Sequence, residues 1–236
     1  MDPSAPLRYP NRVKPYSIVY KDALPHGIVA GVALPKDGAP PTDTDLAALH
    51  PDELSVARHH KGFRLASYVG GRIAAHAAVR ALDGPFTGIG VGPRGAPQPP
   101  PGIALSITHK RTMAIAIAAK AEHGVLGIDL EDIDPPREGI ASRILRPEEQ
   151  ELISRLPEDR QWTATILRFS LKEAIYKALA PRLQRHIGFD EASVTLRTDG
   201  HAAVTLHLTE GPSPEWVNAR FAWLDRAVLT TVRVEW

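Results

Sequence analysis

Two long runs with helical spacing, each followed by a group of short alternating runs, constrain this chain more than any other feature. The first covers Phe63 to Leu82, where Leu65, Val69, Ile73, Ala77 and Leu82 lay a rough stripe along one face. Asp83-Gly84-Pro85 ends it sharply. The second, Thr163 to Ala180, is the strongest helix in the sequence, and Pro181 is expected to stop it. The two runs start about 100 residues apart. After the first, Ile103, Leu105 and Ile107 alternate with smaller residues, His109-Lys110-Arg111-Thr112 reads as a connection, and Met113, Ile115 and Ile117 alternate with alanines. With the run Val125 to Glu131 these strands read as an antiparallel meander. After the second come Ala192 to Leu196, Ala202 to Leu208, Ala219 to Leu224 and Ala227 to Val234, separated by turns such as Thr198-Asp199-Gly200 and Gly211-Pro212. Helix, strands, helix, strands predicts an α+β protein with antiparallel sheets rather than a doubly wound parallel one. The order hints at an internal duplication, although no residue-level repeat is visible to prove it.

The remaining segments are quieter. Residues 1–50 are rich in Pro, Asp and Gly and hold one strand-like run, Gly27 to Leu34. Asp52 and Glu53 are suited to a helix start, and Gly88 to Gly102 is a loop dense in Gly and Pro. Pro135-Pro136 breaks the chain, and Pro147 to Arg155 reads as a short helix with Pro147 and two glutamates in its first turn. The 236 residues suffice for one large domain or two small ones. Aromatics are only 6%, so the core must lean on Leu, Ile, Val and Ala. The net charge of +1 argues against the broad basic surface of a nucleic-acid binder, so any anion site must be local. Cysteine is absent, which excludes disulfides, thiolate nucleophiles and Cys-based zinc sites. The first 20 residues lack a signal-peptide apolar run, and Met113 to Ala119 is too short to cross a bilayer. A soluble cytoplasmic protein is expected, with neither membrane nor nucleic acid as partner.

Four groups of residues are able to carry chemistry. In Gly127-Ile128-Asp129-Leu130-Glu131-Asp132, strand alternation turns Leu126, Ile128 and Leu130 to one face and Asp129 and Glu131 to the other. Two adjacent carboxylates repel, and a divalent cation such as magnesium removes the conflict; a solvated acidic strand end is the plainer alternative. In Arg168-Phe169-Ser170-Leu171-Lys172-Glu173-Ala174-Ile175-Tyr176-Lys177, Glu173 and Lys177 share one helix face and Lys172 and Tyr176 the neighbouring one. Taken alone, such a Glu-Lys pair is ordinary surface decoration. His109, at the end of Ser106-Ile107-Thr108-His109 and followed by Lys110 and Arg111, either holds a phosphate or is structural. Arg64 and Arg72, about two turns apart on one helix, either share an anion or are solvated.

Taken together, RLASYVGGRIAAHAAVRAL (Arg64 to Leu82), GAPQPPPGIALSITH (Gly95 to His109), GIDLEDI (Gly127 to Ile133) and RFSLKEAIYKAL (Arg168 to Leu179) resemble the Sfp/EntD-type 4′-phosphopantetheinyl transferases. The resemblance covers about Arg64 to Leu179 and rests on G-I-D-x-E and F-S-x-K-E-x-x-x-K occurring in that order. It implies a monomeric pseudo-dimer of two AcpS-like halves, residues 1–122 and 123–236, each a long helix packed on an antiparallel sheet, with coenzyme A in the cleft between them. It implies transfer of phosphopantetheine to a serine of an apo acyl or peptidyl carrier, with release of 3′,5′-ADP. Asp129, Glu131 and Glu173 match its magnesium ligands, and Lys177 the lysine facing the pyrophosphate. Lys172 matches the other lysine of the helix motif, and Glu149 a further acidic residue. Arg64 and His109 match residues holding the 3′-phosphate of coenzyme A, with Thr108 beside them; Arg72 and Lys110 are counted among the cofactor-binding cations. The base is Glu173, directly or through water, with Glu149 as the alternative. Phe169 stands where the family commonly has Trp, and Ala96 where it often has Lys or Arg, so Arg94 or Lys110 is left to replace that contact. His59, His60 and Lys61 are further cations near Arg64, and Arg182, Arg185 and His186 are either part of a carrier-docking strip or a solvated loop. The competing readings are a catalytically silent coenzyme A or carrier-binding module, an unrelated magnesium phosphohydrolase, and a purely structural domain.

Overall fold

The computed structural model describes residues 13–136 and 139–236; residues 1–12, part of the stretch read above for a signal sequence, lie outside them. The described chain divides into two compact units, with the boundary between Ile128 and Asp129.

The N-terminal unit holds β1 (Ile18–Leu24), β2 (Gly27–Ala33), α1 (Asp43–Leu46), α2 (Pro51–Ala57), α3 (Gly62–Arg80), β3 (Gly90–Val91), β4 (Pro97–Gln98), β5 (Ile103–His109) and β6 (Met113–Lys120). Four strands form an antiparallel sheet in the order β1-β2-β6-β5, and β3 and β4 make a small separate hairpin. Small residues let α3 lie close to this sheet. Ala74, Ala75 and Ala78 pack with Val32, Ala116 and Ala118, which fits a core poor in aromatics. A Cβ at Gly70 would sit 2.4 Å from a Leu34 methyl and 3.3 Å from the Ala114 Cβ, so a side chain there would have to displace Leu34. The Gly27 to Leu34 run was expected as a strand, whereas β1 was not. β1 is largely exposed at the sheet edge, so burial imposes no alternation on its sequence.

β7 (Val125–Asp132) leads into the C-terminal unit, followed by α4 (Ile140–Ile144), α5 (Pro147–Ser154), α6 (Glu158–Leu183), β8 (Ala192–Leu196), β9 (His201–Leu206), β10 (Trp216–Leu224) and β11 (Ala227–Glu235). The sheet order is β7-β11-β10-β9-β8. Leu171, Ile175 and Leu179 of α6 pack on Val194, Val228 and Val232. The expected meander of β5, β6 and β7 is therefore corrected. Both sides of β6 are taken, by β2 and β5, and β7 pairs with β11 instead. The turn at Ala121–His123 and Gly124, with φ at 95°, carry the chain out of the first sheet. The longest helix also exceeds its expected bounds. Its first turn, with Glu158 and Asp159 favouring the positive end of the helix dipole, has no apolar stripe to reveal it. Pro181 does not stop it, because in the last turn a missing N–H removes a single bond; Gln184, left-handed, closes it by donating to the Ala180 carbonyl.

Candidate active site

In the C-terminal unit, the alternation of β7 puts Asp129 and Glu131 on one face, and both are buried. Asp129 is held by the long helix from two sides. Ser170 Oγ donates to its Oδ2 at 3.0 Å, and Lys177 Nζ donates to its Oδ1 at 2.7 Å. Thr230 Oγ1 of β11, 2.9 Å from Ser170 Oγ, donates to the Ser170 carbonyl at 3.0 Å. Glu173 is half-buried on the same helix as Lys177, four residues before it. Among the described residues, no three Asp, Glu, His or Cys side chains are gathered closely enough to cage a metal ion. Asp129 and Glu131 nevertheless supply hard oxygen donors side by side, and the cation that Asp129 meets is the ammonium of Lys177.

α6 also takes part in a buried knot with the start of α5. Pro147 and Glu149 start α5, where Glu149 Oε2 accepts the Arg146 amide at 3.0 Å. The same oxygen takes Lys172 Nζ at 2.6 Å, and Oε1 takes the Val194 amide at 2.8 Å. Lys172 directs its remaining donors to the carbonyls of Ile144, at 2.8 Å, and Phe189, at 2.9 Å. Its side chain is 1% exposed and that of Glu149 2%. Burial pushes the Lys172 ammonium below the usual lysine range, and the Glu149 charge opposes that shift. All three N–H groups of Lys172 and both oxygens of Glu149 thus serve protein partners. In front of the knot a pocket of about 160 Å³ is lined by Glu173, Ile175, Tyr176, His186, Ile187 and Phe189, with Lys172 at its wall. Phe169 packs on Phe189 at 5.6 Å between ring centroids, the work of an apolar ring at that position.

The N-terminal unit brings some of its expected residues together and separates others. His109, exposed at the end of β5, lies 5.8 Å from the Phe63 ring, beside the first turn of α3 where Arg64 is exposed. That turn has no side-chain cap. Burial and, next, the Arg64 charge push the His60 imidazole below its usual range. Thr108 is buried on β5, and the Lys110 amide closes the β5–β6 turn on the Met113 carbonyl at 2.8 Å. Arg72 does not join Arg64. It is buried, 3.7 Å from Glu53, donates to the Gly90 carbonyl at 3.3 Å, and lies over the Tyr68 ring. Arg94 is exposed with φ at 57°, beside half-buried Ala96. Of the strip after α6, Arg185 is bound to Glu191 at 2.6 Å and to the Glu210 carbonyl, and Arg182 lies over the Trp236 ring.

Sequence reading missed Glu53 as anything but a helix-start residue and did not single out His76. Glu53 is 1% exposed and His76 5%, and His76 Nε2 is 2.8 Å from Glu53 Oε2. The signal that finds them is the tripeptide Pro51-Asp52-Glu53, which matches Pro147-Glu148-Glu149.

A family model described as the 4′-phosphopantetheinyl transferase superfamily matches residues 125–232, and one described as the 4′-phosphopantetheinyl transferase N-terminal domain matches residues 52–119. The chain is 31% identical to 4′-phosphopantetheinyl transferase Svp of Streptomyces mobaraensis, over 72% of this chain and 70% of that one. It is 35% identical to 4′-phosphopantetheinyl transferase Npt of Nocardia iowensis, over 67% and 71%. It is 31% identical to enterobactin synthase component D of Salmonella typhimurium, over 82% and 78%. Two models in consecutive order, and relatives matched over most of their length, place the chain in the 4′-phosphopantetheinyl transferase superfamily.

Proposed function

We propose that this chain transfers the 4′-phosphopantetheine group of coenzyme A to a serine hydroxyl of an apo carrier protein, and that its C-terminal unit carries the chemistry. The observation that carries this reading is the Asp129–Lys177 pair with Glu131 alongside, inside the residues that the superfamily model matches. The serine oxygen attacks the β-phosphorus of coenzyme A. The bond from that phosphorus to the bridging oxygen breaks, 3′,5′-ADP leaves, and the serine proton passes to a base. Glu173 is that base. Glu149, the alternative, already has both oxygens bound to Lys172 and two backbone amides. Lys177 leaves Asp129 to meet the diphosphate oxygens, where charge builds.

Asp129, Glu131 and Glu173 would hold magnesium, which when bound supplies charge neutralisation and orientation of the diphosphate. The donor set fits by chemistry. Their carboxylate oxygens are the hard donors this ion takes, and one to three of them would leave room for substrate oxygens and water. Lys172 and Glu149 act as supports, fixing α6 to α5 and to the wall of the pocket beside Glu173. Arg64 and His109, near the uncapped start of α3, with Thr108 and Lys110 adjacent, take the 3′-phosphate. On this reading residues 1–122 bind that phosphate and residues 123–236 the metal. The protein acts as a cytoplasmic monomer on polyketide, nonribosomal peptide or fatty-acid carriers, secondary-metabolite ones among them, with no membrane or nucleic-acid partner.

The test is intact-mass spectrometry of an apo carrier incubated with the protein, coenzyme A and magnesium. A gain of one phosphopantetheine that a chelator prevents is expected. No gain across several carriers would overturn the reading.

A further inference from the structure

The N-terminal unit contains a second buried knot built like that of Glu149, displaced by one constant offset along the chain (53 to 149, 72 to 168, 76 to 172). Proline and an acidic residue precede the glutamate in both, and both short helices use it to accept their own cap amide. That amide is His50 at 2.9 Å in one knot and Arg146 at 3.0 Å in the other. The other glutamate oxygen accepts an amide from beyond the long helix, Ile89 at 3.0 Å or Val194 at 2.8 Å. The nitrogen partner comes from the long helix, the His76 imidazole in one and the Lys172 ammonium in the other. One turn earlier stands an arginine, Arg72 or Arg168, each 6% exposed. The buried positions of the two helices agree as well: Val69, Ala74 and Val79 are buried where Thr165, Ser170 and Ile175 are.

What the N-terminal copy lacks is the reacting set. Ala77 and Ala81 stand where Glu173 and Lys177 do, and β2 reads Gly-Ile-Val-Ala-Gly-Val-Ala with no carboxylate. The feature shared by the two copies is therefore the anchoring of a segment beyond the long helix. In the N-terminal unit that segment is the base of the β3–β4 hairpin. Glu53 takes the amide of Ile89 and Arg72 takes the carbonyl of Gly90, while Gly90 pairs with Gln98 across the hairpin. The hairpin leads into β5, which ends at Thr108 and His109.

We propose that Glu53, Arg72 and His76 are positioning residues for coenzyme A, which fix the Gly90–Gln98 hairpin and the approach to β5 on α3. The inference rests on the reading that the N-terminal unit takes the 3′-phosphate end of coenzyme A. Their carboxylate and cations touch protein groups and act on the substrate through the segment they hold.

The experiment pairs steady-state kinetics with hydrogen exchange on the full chain. In His76→Ala the KM for coenzyme A is expected to rise about tenfold with kcat within about twofold, and the Ile89 amide to exchange about a hundredfold faster while β6 stays protected. His76→Lys, which installs the cation of the other knot, is expected to bring both values back to within about threefold of the wild type. A loss confined to kcat, an unchanged KM, or His76→Lys no better than His76→Ala overturns the proposal. If His76→Ala does not fold, Glu53→Gln is read by the same criteria. An Ile89 amide that in the wild type exchanges as fast as that of exposed Arg94 also overturns it. If the wild type transfers to no carrier, coenzyme A affinity by calorimetry replaces KM, and the same ratios decide.

Discussion

The two knots differ most in the cation they use. Lys172 is an ammonium with three donors, and all three are engaged inside the C-terminal unit. His76 is an imidazole that can stay buried without a net charge. Burial acts to raise the Glu53 carboxyl, but the hydrogen bonds from His76, Ile89 and His50 outweigh it and hold the group below its usual range. One fold thus carries the same anchor twice, with an ammonium in the unit of the carboxylates proposed for chemistry and an imidazole where Ala77 and Ala81 stand in place of Glu173 and Lys177. On the proposed function, anchoring is separable from chemistry, the N-terminal unit keeping the first without the residues assigned to the second.

The largest expected effect tests that separation. Asp129→Asn keeps an acceptor for Ser170 but loses the charge that meets Lys177, and kcat should fall about 100- to 1000-fold with the circular dichroism spectrum unchanged. Glu53→Gln should leave kcat within about twofold. Equal losses of kcat in the two variants would mean that both units carry chemistry.

Stability sharpens the comparison next. Glu149→Ala strands a buried ammonium and two backbone amides, so unfolding free energy should drop by about 3–5 kcal/mol. Glu53→Ala also strands two amides and leaves Arg72, 3.7 Å away, without its carboxylate, but the hydrogen-bond partner it removes is an imidazole rather than an ammonium, and a smaller loss of about 1–3 kcal/mol is expected. Urea unfolding of both variants measures the order. A larger loss for Glu53→Ala would mean that the ammonium of Lys172 is not what separates the knots.

The fold class was legible because two helical runs and their strand groups carry strong periodicity, and the acidic pair on β7 because alternation alone fixes its face. What escaped was set by tertiary contacts. β7 continues an apparent meander in sequence, and only the occupied edges of β6 send it elsewhere. Arg72 resembles a partner of Arg64 by spacing, yet one turns inward and the other outward. The repeat was hidden because the two copies share few side chains, Pro51, Glu53 and Arg72 among them, and trade histidine for lysine at the fourth position of the knot. The spacing also breaks after the helices: Ile89 follows His76 by 13 residues, while Val194 follows Lys172 by 22.

That longer connector in the C-terminal unit carries a staple of its own and yields the smallest expected effect. Arg185 donates to both oxygens of Glu191, at 2.8 and 2.6 Å, and the Thr209 and Gly188 amides add to the hold. The Arg185 hydrogen bonds come first in lowering the Glu191 carboxyl from 4.5 to about 2, and burial opposes them. A carboxyl lowered on folding stabilises the fold above its unfolded value, and the contribution fades as pH falls from about 4.5 toward 2. Glu191→Gln should therefore lower the urea midpoint at pH 7, and its gap from the wild type should narrow below pH 4.5 and close near pH 2. The gap should be smaller than that of either knot variant, because Arg185 is partly exposed and solvent screens the pair. A gap that stays constant from pH 7 to pH 2 would assign the stabilisation to packing of the connector and remove the staple from the difference between the two units.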